Sequence, residues 1–180
     1  MNYIKISKCD IANGEGVRVV LWCSGCDLRC KNCHNQEALD FNSGLPFTDQ
    51  TMNELIDAMN KPHIQGLTLS GGHPLAPANR ADVLNIITTI KRVLPDKDIW
   101  LYTGYDLNYG DFSTLYKGID QKSTLHNQKT TILRMCDVVV DGRYIDDIRD
   151  ISLKFRGSIN QRLIDVPETL QQQKIVLLNA

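Results

Sequence analysis

Trp22-Cys-Ser-Gly-Cys-Asp-Leu-Arg-Cys-Lys-Asn-Cys-His-Asn35 holds four of the six cysteines of the chain. Within it Cys26, Cys30 and Cys33 have the spacing C-x3-C-x2-C. Three thiolates on one tight loop can hold three irons of a cubane cluster, which leaves the fourth iron without a protein ligand. An open iron can bind a substrate or cofactor. Two other readings use Cys23. Cys23-x2-Cys26 and Cys30-x2-Cys33 form a pair of C-x2-C knuckles of the kind structural zinc favours. However, only Asp27, Leu28 and Arg29 separate the two, where a zinc framework usually has about 12 to 20 residues. A ferredoxin-like cluster with Cys23 as its fourth ligand is the second rival. Otherwise Cys23 is a small buried thiol ending a strand. Cys9 and Cys136 lie far off in sequence and read as core thiols.

Upstream of the loop, Val17 to Trp22 is apolar and β-branched apart from Arg18, which reads as a buried strand. Downstream, Thr48 caps a helix to Asn60 with Met52, Leu55, Ile56 and Met59 on one face, stopped by Pro62. Gly66 to Ser70 reads as a strand that runs into Gly71-Gly72-His73-Pro74-Leu75. Two glycines after a strand let backbone approach a ligand closely. A second amphipathic helix spans Arg80 to Leu94, closed by Pro95. Asp98 to Tyr105 gives a strand and a turn, and Cys136 to Tyr144 a strand running into a Gly turn. Between them residues 106–130 are polar and weakly periodic, an irregular insertion without interpretable chemistry.

Strand, helix and strand in alternation argue for a parallel α/β sheet. A closed eightfold barrel takes about 250 residues, so a chain of 180 is expected to form a partial, open parallel α/β barrel. The loops at Cys26, Gly71 and Thr103 all follow strands, and sites assemble on that C-terminal edge. The open side would admit a loop of a protein substrate.

The length suits a single domain, 1–180, with a core of its own. A net charge of −1 gives no electrostatic case for nucleic acid or an anionic membrane. No run approaches the roughly 18 apolar residues of a membrane span, and the N-terminal segment lacks a signal-peptide core. A cytoplasmic protein is expected, whose cysteines serve metal chemistry rather than disulfides.

The three-cysteine loop resembles the signature of the radical S-adenosylmethionine (SAM) enzymes. The stretch Gly14 to Asn35 is similar to the N-terminal part of the activating proteins of anaerobic (class III) ribonucleoside-triphosphate reductases, and later stretches extend the likeness to about Arg162. The resemblance implies a barrel of the radical SAM type, a 4Fe-4S cluster on Cys26, Cys30 and Cys33, and SAM at its open iron. Gly71-Gly72-His73-Pro74 resembles the Gly-Gly-Glu-Pro motif that meets the amino group of SAM. Here His73 replaces the acid: a neutral imidazole accepts one hydrogen bond but lacks the charge, so His73→Glu is expected to keep or tighten SAM binding. Asn32 and His34 flank Cys33 where the family meets adenosine. Asp98 to Tyr105 looks like the family's Trp-Thr-Gly-Tyr region, with Trp100 and Tyr102 read mainly as packing. Asp141, in a Val-Asp-Gly segment, either meets SAM or caps its turn. Leu153 to Arg162 matches an Arg-Gly-Ser-x-Asn-Gln-Arg segment whose basic residues hold the cofactor carboxylate or the partner, or form a solvated edge. The activity so implied takes one electron from a reduced donor such as flavodoxin. It cleaves SAM to methionine and a 5′-deoxyadenosyl radical, and takes a hydrogen atom from a glycine of the large reductase subunit. The alternatives are an activase of another glycyl radical enzyme such as pyruvate formate-lyase, a small-molecule radical SAM enzyme, an iron–sulfur electron carrier and a zinc-stabilised binding module. The tail Ile175 to Leu178, within residues 167–180 beyond the likeness, would pack on the barrel or on a second subunit, which leaves a homodimer open.

Overall fold

The computed structural model of the chain describes residues 1–113 and 124–178, with side chains from 128 onward in the second span. Its strands are β1 (Asn2–Asp10), β2 (Val17–Cys23), β3 (Leu45–Pro46), β4 (Ile64–Gly71), β5 (Asp98–Tyr102), β6 (Val138–Asp141) and β7 (Arg162–Asp165). Its helices are α1 (Asp49–Met59), α2 (Arg80–Val93), α3 (Tyr109–Phe112), α4 (Thr124–Met135) and α5 (Val166–Gln172). The strands form one open sheet in the order β3-β1-β2-β4-β5-β6-β7.

β2, β4, β5 and β6 are parallel neighbours, as the strand–helix alternation requires. The edges differ from a wholly parallel sheet: β1 runs antiparallel to both β2 and β3, and β7 antiparallel to β6. For β1 and β2 the reason is chain length. Parallel neighbours need a crossover of a dozen or more residues, and only residues 11–16 join β1 to β2. Two of those six are glycines at positive φ, Gly14 and Gly16, so the chain turns back instead.

Side chains alternate across the strands. Val19, Leu21, Cys23, Leu67, Leu69, Ile99, Leu101 and Val139 share one core with Leu55 and Met59 of α1, Ile86, Ile87 and Ile90 of α2 and Leu133 of α4. α1 starts where expected, its capping box formed by Thr48 and Thr51. The opposite face is not helix-covered in the same way. There Trp100, Val138, Val140 and Leu163 form a second cluster with Phe155 and Leu178 from the C-terminal third.

On that second face lies Arg18, fully buried. Its guanidinium pairs with Asp98, donates through Nε to Thr68 Oγ1 at 2.8 Å and through Nη2 to the Leu67 carbonyl at 3.0 Å, and lies 5.2 Å from the Trp100 ring centroid. The residue that interrupts the apolar run of β2 is thus a pillar between three parallel strands.

The span 106–130 contains α3 and the start of α4, while 114–123 lie outside the described residues. The tail pairs back on β7: Asp165 N–H donates to the Val176 carbonyl and Leu178 N–H to that of Leu163. Cys136 is buried as expected, but Cys9 is exposed, because β1 is an outer strand whose partner β3 covers only its first residues. Among the described residues no helix is long and apolar enough to cross a membrane.

Candidate functional site

The four parallel strands end on one edge, and each delivers a loop there: the cysteine loop after β2, Gly71-Gly72-His73 after β4, Thr103-Gly104 after β5 and Gly142 after β6. These loops and the segment 149–161 surround a cavity of about 570 Å³. Cys26, Cys30 and Cys33 line it, as do Asn32, His34, Gly71, Gly72 and His73. These eight residues, singled out in the sequence for the cluster and for SAM, therefore share one cavity. Cys23 does not line it: its side chain lies in the helix-side core, fully buried, and burial pushes its thiol up to about 12.

The cysteine loop is wound tightly. Arg29 and Asn32 adopt left-handed φ of 46° and 53°, conformations that non-glycine residues keep only when their surroundings over-determine them. The surroundings do so. At the loop's start Gly25 and Cys26 N–H donate to the Ala38 and Leu39 carbonyls at 2.8 and 3.1 Å. At its far end the Arg143 guanidinium donates to the Leu28 carbonyl, and Asn32 Nδ2 donates to Asp146 Oδ2 at 2.6 Å. Tyr144 O–H holds the other oxygen of Asp146 at 2.7 Å. One end of Asn32 is thereby committed to the chain, although the residue faces the cavity.

Gly71 has φ 98°, and a Cβ there would lie 2.6 Å from the Cys23 carbonyl oxygen. A Cβ on Gly72 would lie 2.5 Å from the Gly25 oxygen and 2.7 Å from that of Ala38. The sequence reading gave these glycines to ligand approach. Their close neighbours are instead the backbone on either side of the cysteine loop, which packs directly against the end of β4.

His73 is buried, with both ring nitrogens engaged: Nδ1 is 2.9 Å from Asp27 Oδ1 and Nε2 is 2.8 Å from Thr103 Oγ1. The Tyr105 ring meets it edge-on at 4.4 Å. Burial holds its basicity below the ordinary value, against the pull of Asp27, so the ring is neutral near pH 7. Burial would raise Asp27, but the His73 hydrogen bond, its own backbone and nearby Arg80 outweigh this and lower it overall. A free acceptor on His73 for an ammonium, expected from the sequence, is absent because the chain itself uses both nitrogens.

Asp141 also proves structural. Fully buried, it accepts the Leu107 N–H at 2.9 Å and pairs with Arg162. Arg162 in turn donates to the Leu107 carbonyl at 2.7 Å. Tyr102 lines the cavity, and Trp100 packs at 5.3 Å on Phe155. Arg156, from the Arg-Gly-Ser stretch, lines the cavity too: its Nη1 donates to the Gln161 carbonyl at 3.1 Å, while its buried Nε has no partner among the described residues.

The donor set fits an iron–sulfur cluster. Burial raises the Cys26 thiol, against hydrogen bonds to the Leu28 and Arg29 backbone and with Asp27 and Cys30 adding to the rise. A bound cation reverses that balance and holds thiolates. Arg156 Nε offers an unfilled donor for an anionic group in the same cavity. Sequence reasoning placed Asp27 in the cysteine loop and Thr103 on a site loop but missed that both hydrogen-bond His73.

The comparisons with known proteins agree with this geometry. A family described as a 4Fe-4S single cluster domain matches residues 12–164. The chain is 40% identical over 163 residues to the anaerobic ribonucleoside-triphosphate reductase-activating protein of Haemophilus influenzae, covering 89% of this chain and 96% of that protein. The protein of the same name from Enterobacteria phage T4 is 40% identical, with 91% and 93% covered. That from Escherichia coli K12 is 37% identical, with 89% and 96% covered. With a relative this similar over nearly its whole length and three cysteines on one cavity, the chain belongs to the family of anaerobic ribonucleoside-triphosphate reductase-activating proteins.

Proposed function

We propose that this chain is a radical SAM enzyme that activates an anaerobic ribonucleoside-triphosphate reductase by installing a glycyl radical on its large subunit. The observation that carries the reading is the placement of Cys26, Cys30 and Cys33 on one cavity at the C-terminal edge of the parallel strands, with Cys23 turned into the core. Three ligands suit a cluster with one open iron, whereas the carrier and zinc readings drawn from the sequence both use Cys23 as a fourth ligand. The open sheet is then a partial barrel of the radical SAM type.

In this reading Cys26, Cys30 and Cys33 would hold a 4Fe-4S cluster, and the rest of the cavity would take SAM. Together they supply reductive cleavage of the sulfonium, with an electron from a donor such as flavodoxin, and the radical that takes a hydrogen atom from a backbone glycine. The chain's residues bind, orient and exclude water. Arg156 would hold the carboxylate of SAM and Asn32 and His34 its adenosine, while Gly71 and Gly72 would give a wall without side chains. His73 contributes wall rather than a hydrogen bond. The large subunit closes the open side, which keeps water from the radical.

The test is anaerobic reconstitution with iron and sulfide, then reduction with SAM and the large subunit. The expected result is 5′-deoxyadenosine, methionine and a glycyl radical spectrum on the large subunit. An iron-loaded protein that never cleaves SAM would show the electron carrier instead.

A further inference from the structure

Thr103 Oγ1 accepts the Tyr105 N–H at 3.2 Å and faces His73 Nε2 at 2.8 Å. An ionised Asp27 cannot donate, so the proton of the neutral ring sits on Nδ1 and points at Asp27. Nε2 then accepts the Thr103 hydroxyl. The hydrogen bonds run one way, from the Tyr105 amide through Thr103 and His73 to Asp27, and every donor and acceptor on the ring is used. This chain of contacts ties three sheet-edge loops together. His73 N–H also donates to the Gly25 carbonyl at 2.8 Å, and Asn79 Nδ2 holds the His73 carbonyl at 3.0 Å, so the imidazole cannot swing away.

The carboxylate so fixed stands beside the cysteine loop. Ligand atoms of Asp27, His73 and Cys26 all lie within 4.8 Å of one another. The imidazole orients the carboxylate through the Nδ1–Oδ1 hydrogen bond at 2.9 Å. Arg80, whose charge also acts on Asp27, has its Nε bonded to the Leu75 carbonyl at 2.7 Å. Charges and hydrogen bonds next to the sulfurs are among the levers that set the potential of an iron–sulfur cluster. A negative charge held there opposes the arrival of an electron.

We infer that Asp27 lowers the reduction potential of the cluster held by Cys26, Cys30 and Cys33, and that His73 is the positioning residue that keeps Asp27 in place. This rests on the iron–sulfur reading of the site above. A low potential makes the reduced cluster a stronger donor to a sulfonium, which links the pair to the reaction although neither residue need touch SAM.

The experiment compares the midpoint potentials of anaerobically reconstituted wild-type, Asp27→Asn, His73→Gln and the double variant by spectroscopically monitored redox titration, with iron content measured on each. Asn keeps the hydrogen bond from His73 and removes only the charge. Asp27→Asn should bind iron like wild type and titrate at a more positive potential. His73→Gln, which cannot span both Asp27 and Thr103, should shift in the same direction by less, and the double variant no further than Asp27→Asn alone. Should His73→Gln fail to hold iron, Asp27→Asn decides by itself. An unchanged midpoint in iron-loaded Asp27→Asn overturns the inference and leaves the iron–sulfur reading standing. Additive shifts in the double variant overturn the positioning role. A wild-type chain that takes up no iron overturns the iron–sulfur reading, and this inference with it.

Discussion

Each cysteine in this chain has a distinct environment, and reagents should tell them apart. Cys26→Ala, Cys30→Ala and Cys33→Ala should each abolish the iron–sulfur absorbance after reconstitution, while Cys23→Ala keeps it. Loss of iron in Cys23→Ala equal to that in Cys30→Ala would restore the four-cysteine reading. In the metal-free protein an alkylating reagent should modify Cys9 in the native state, whereas Cys23 and Cys136, buried and held as thiols, should react only after unfolding; mass spectrometry reads both. His73→Glu, expected from the sequence to keep or tighten SAM binding, should lower the stability of the fold. It sets a second carboxylate against Asp27 and removes the Nδ1 donor, so one acid must take up a proton or lose its partner. A loss of about 1–3 kcal/mol is expected, the cost of leaving a buried polar group unsatisfied, visible as a lower urea midpoint. The three ligands were legible because their spacing is local. The Asp27–His73 contact was not, because it joins residues 46 apart, and nothing in either neighbourhood announces the other.

Among the elements, β2 and β4 decide how the site is held. Arg18 reads as a flaw in an apolar strand, since a sequence cannot show that Thr68, Leu67 and Asp98 will converge on its guanidinium. Its environment also requires Gly66: a Cβ there would lie 2.2 Å from Asp98 Oδ1 and 2.9 Å from Arg18 Nη2. Asp98→Ala should destabilise the protein by about 3 kcal/mol, the low end for breaking a buried pair, because the Asp98 side chain keeps 26% of its surface in water. Denaturant titration measures this, and a change under about 0.5 kcal/mol, the range of ordinary surface substitutions, would contradict the pillar role. Gly72→Ala should cost about 1–3 kcal/mol by overpacking. It should also impair iron loading, since the backbone it displaces, at Gly25, adjoins Cys26. The helices α1 and α2 were legible from spacing and caps, and the parallel strands from their β-branched runs. β1 and β7 were not, because as outer strands they carry too few inward apolar residues to stand out.

At the scale of the whole molecule, the parallel centre followed from the order of the elements, but the antiparallel edges did not: β1 turns back on a six-residue connection, and the pairing of β7 shows only in the structure. Among the described residues, the second face of the sheet packs against irregular chain from the C-terminal third, and the same chain, from Arg149 to Gln161, lines the cavity and is the wall a partner would have to complete. SAM cleavage by the chain alone should therefore be slow or uncoupled. With the large subunit present it should yield initially about one glycyl radical per 5′-deoxyadenosine, counted by spin quantitation against chromatography. Fast turnover of a small molecule without that subunit would favour a small-molecule enzyme.

The contacts of Arg143 with Leu28 and of Asn32 with Asp146, joined by the exposed pair Lys31–Asp147 at 3.5 Å, bind the cysteine loop to the chain that follows β6. That chain carries Arg149 and Lys154, both exposed and open to trypsin. Filling the cysteine loop with iron should stiffen its neighbour through these contacts, so limited digestion at Arg149 and Lys154 should slow on reconstitution. Cleavage at the remote, exposed Arg92 of α2 should proceed as before, which makes a gel band a direct gauge of how far cluster assembly reaches into the fold.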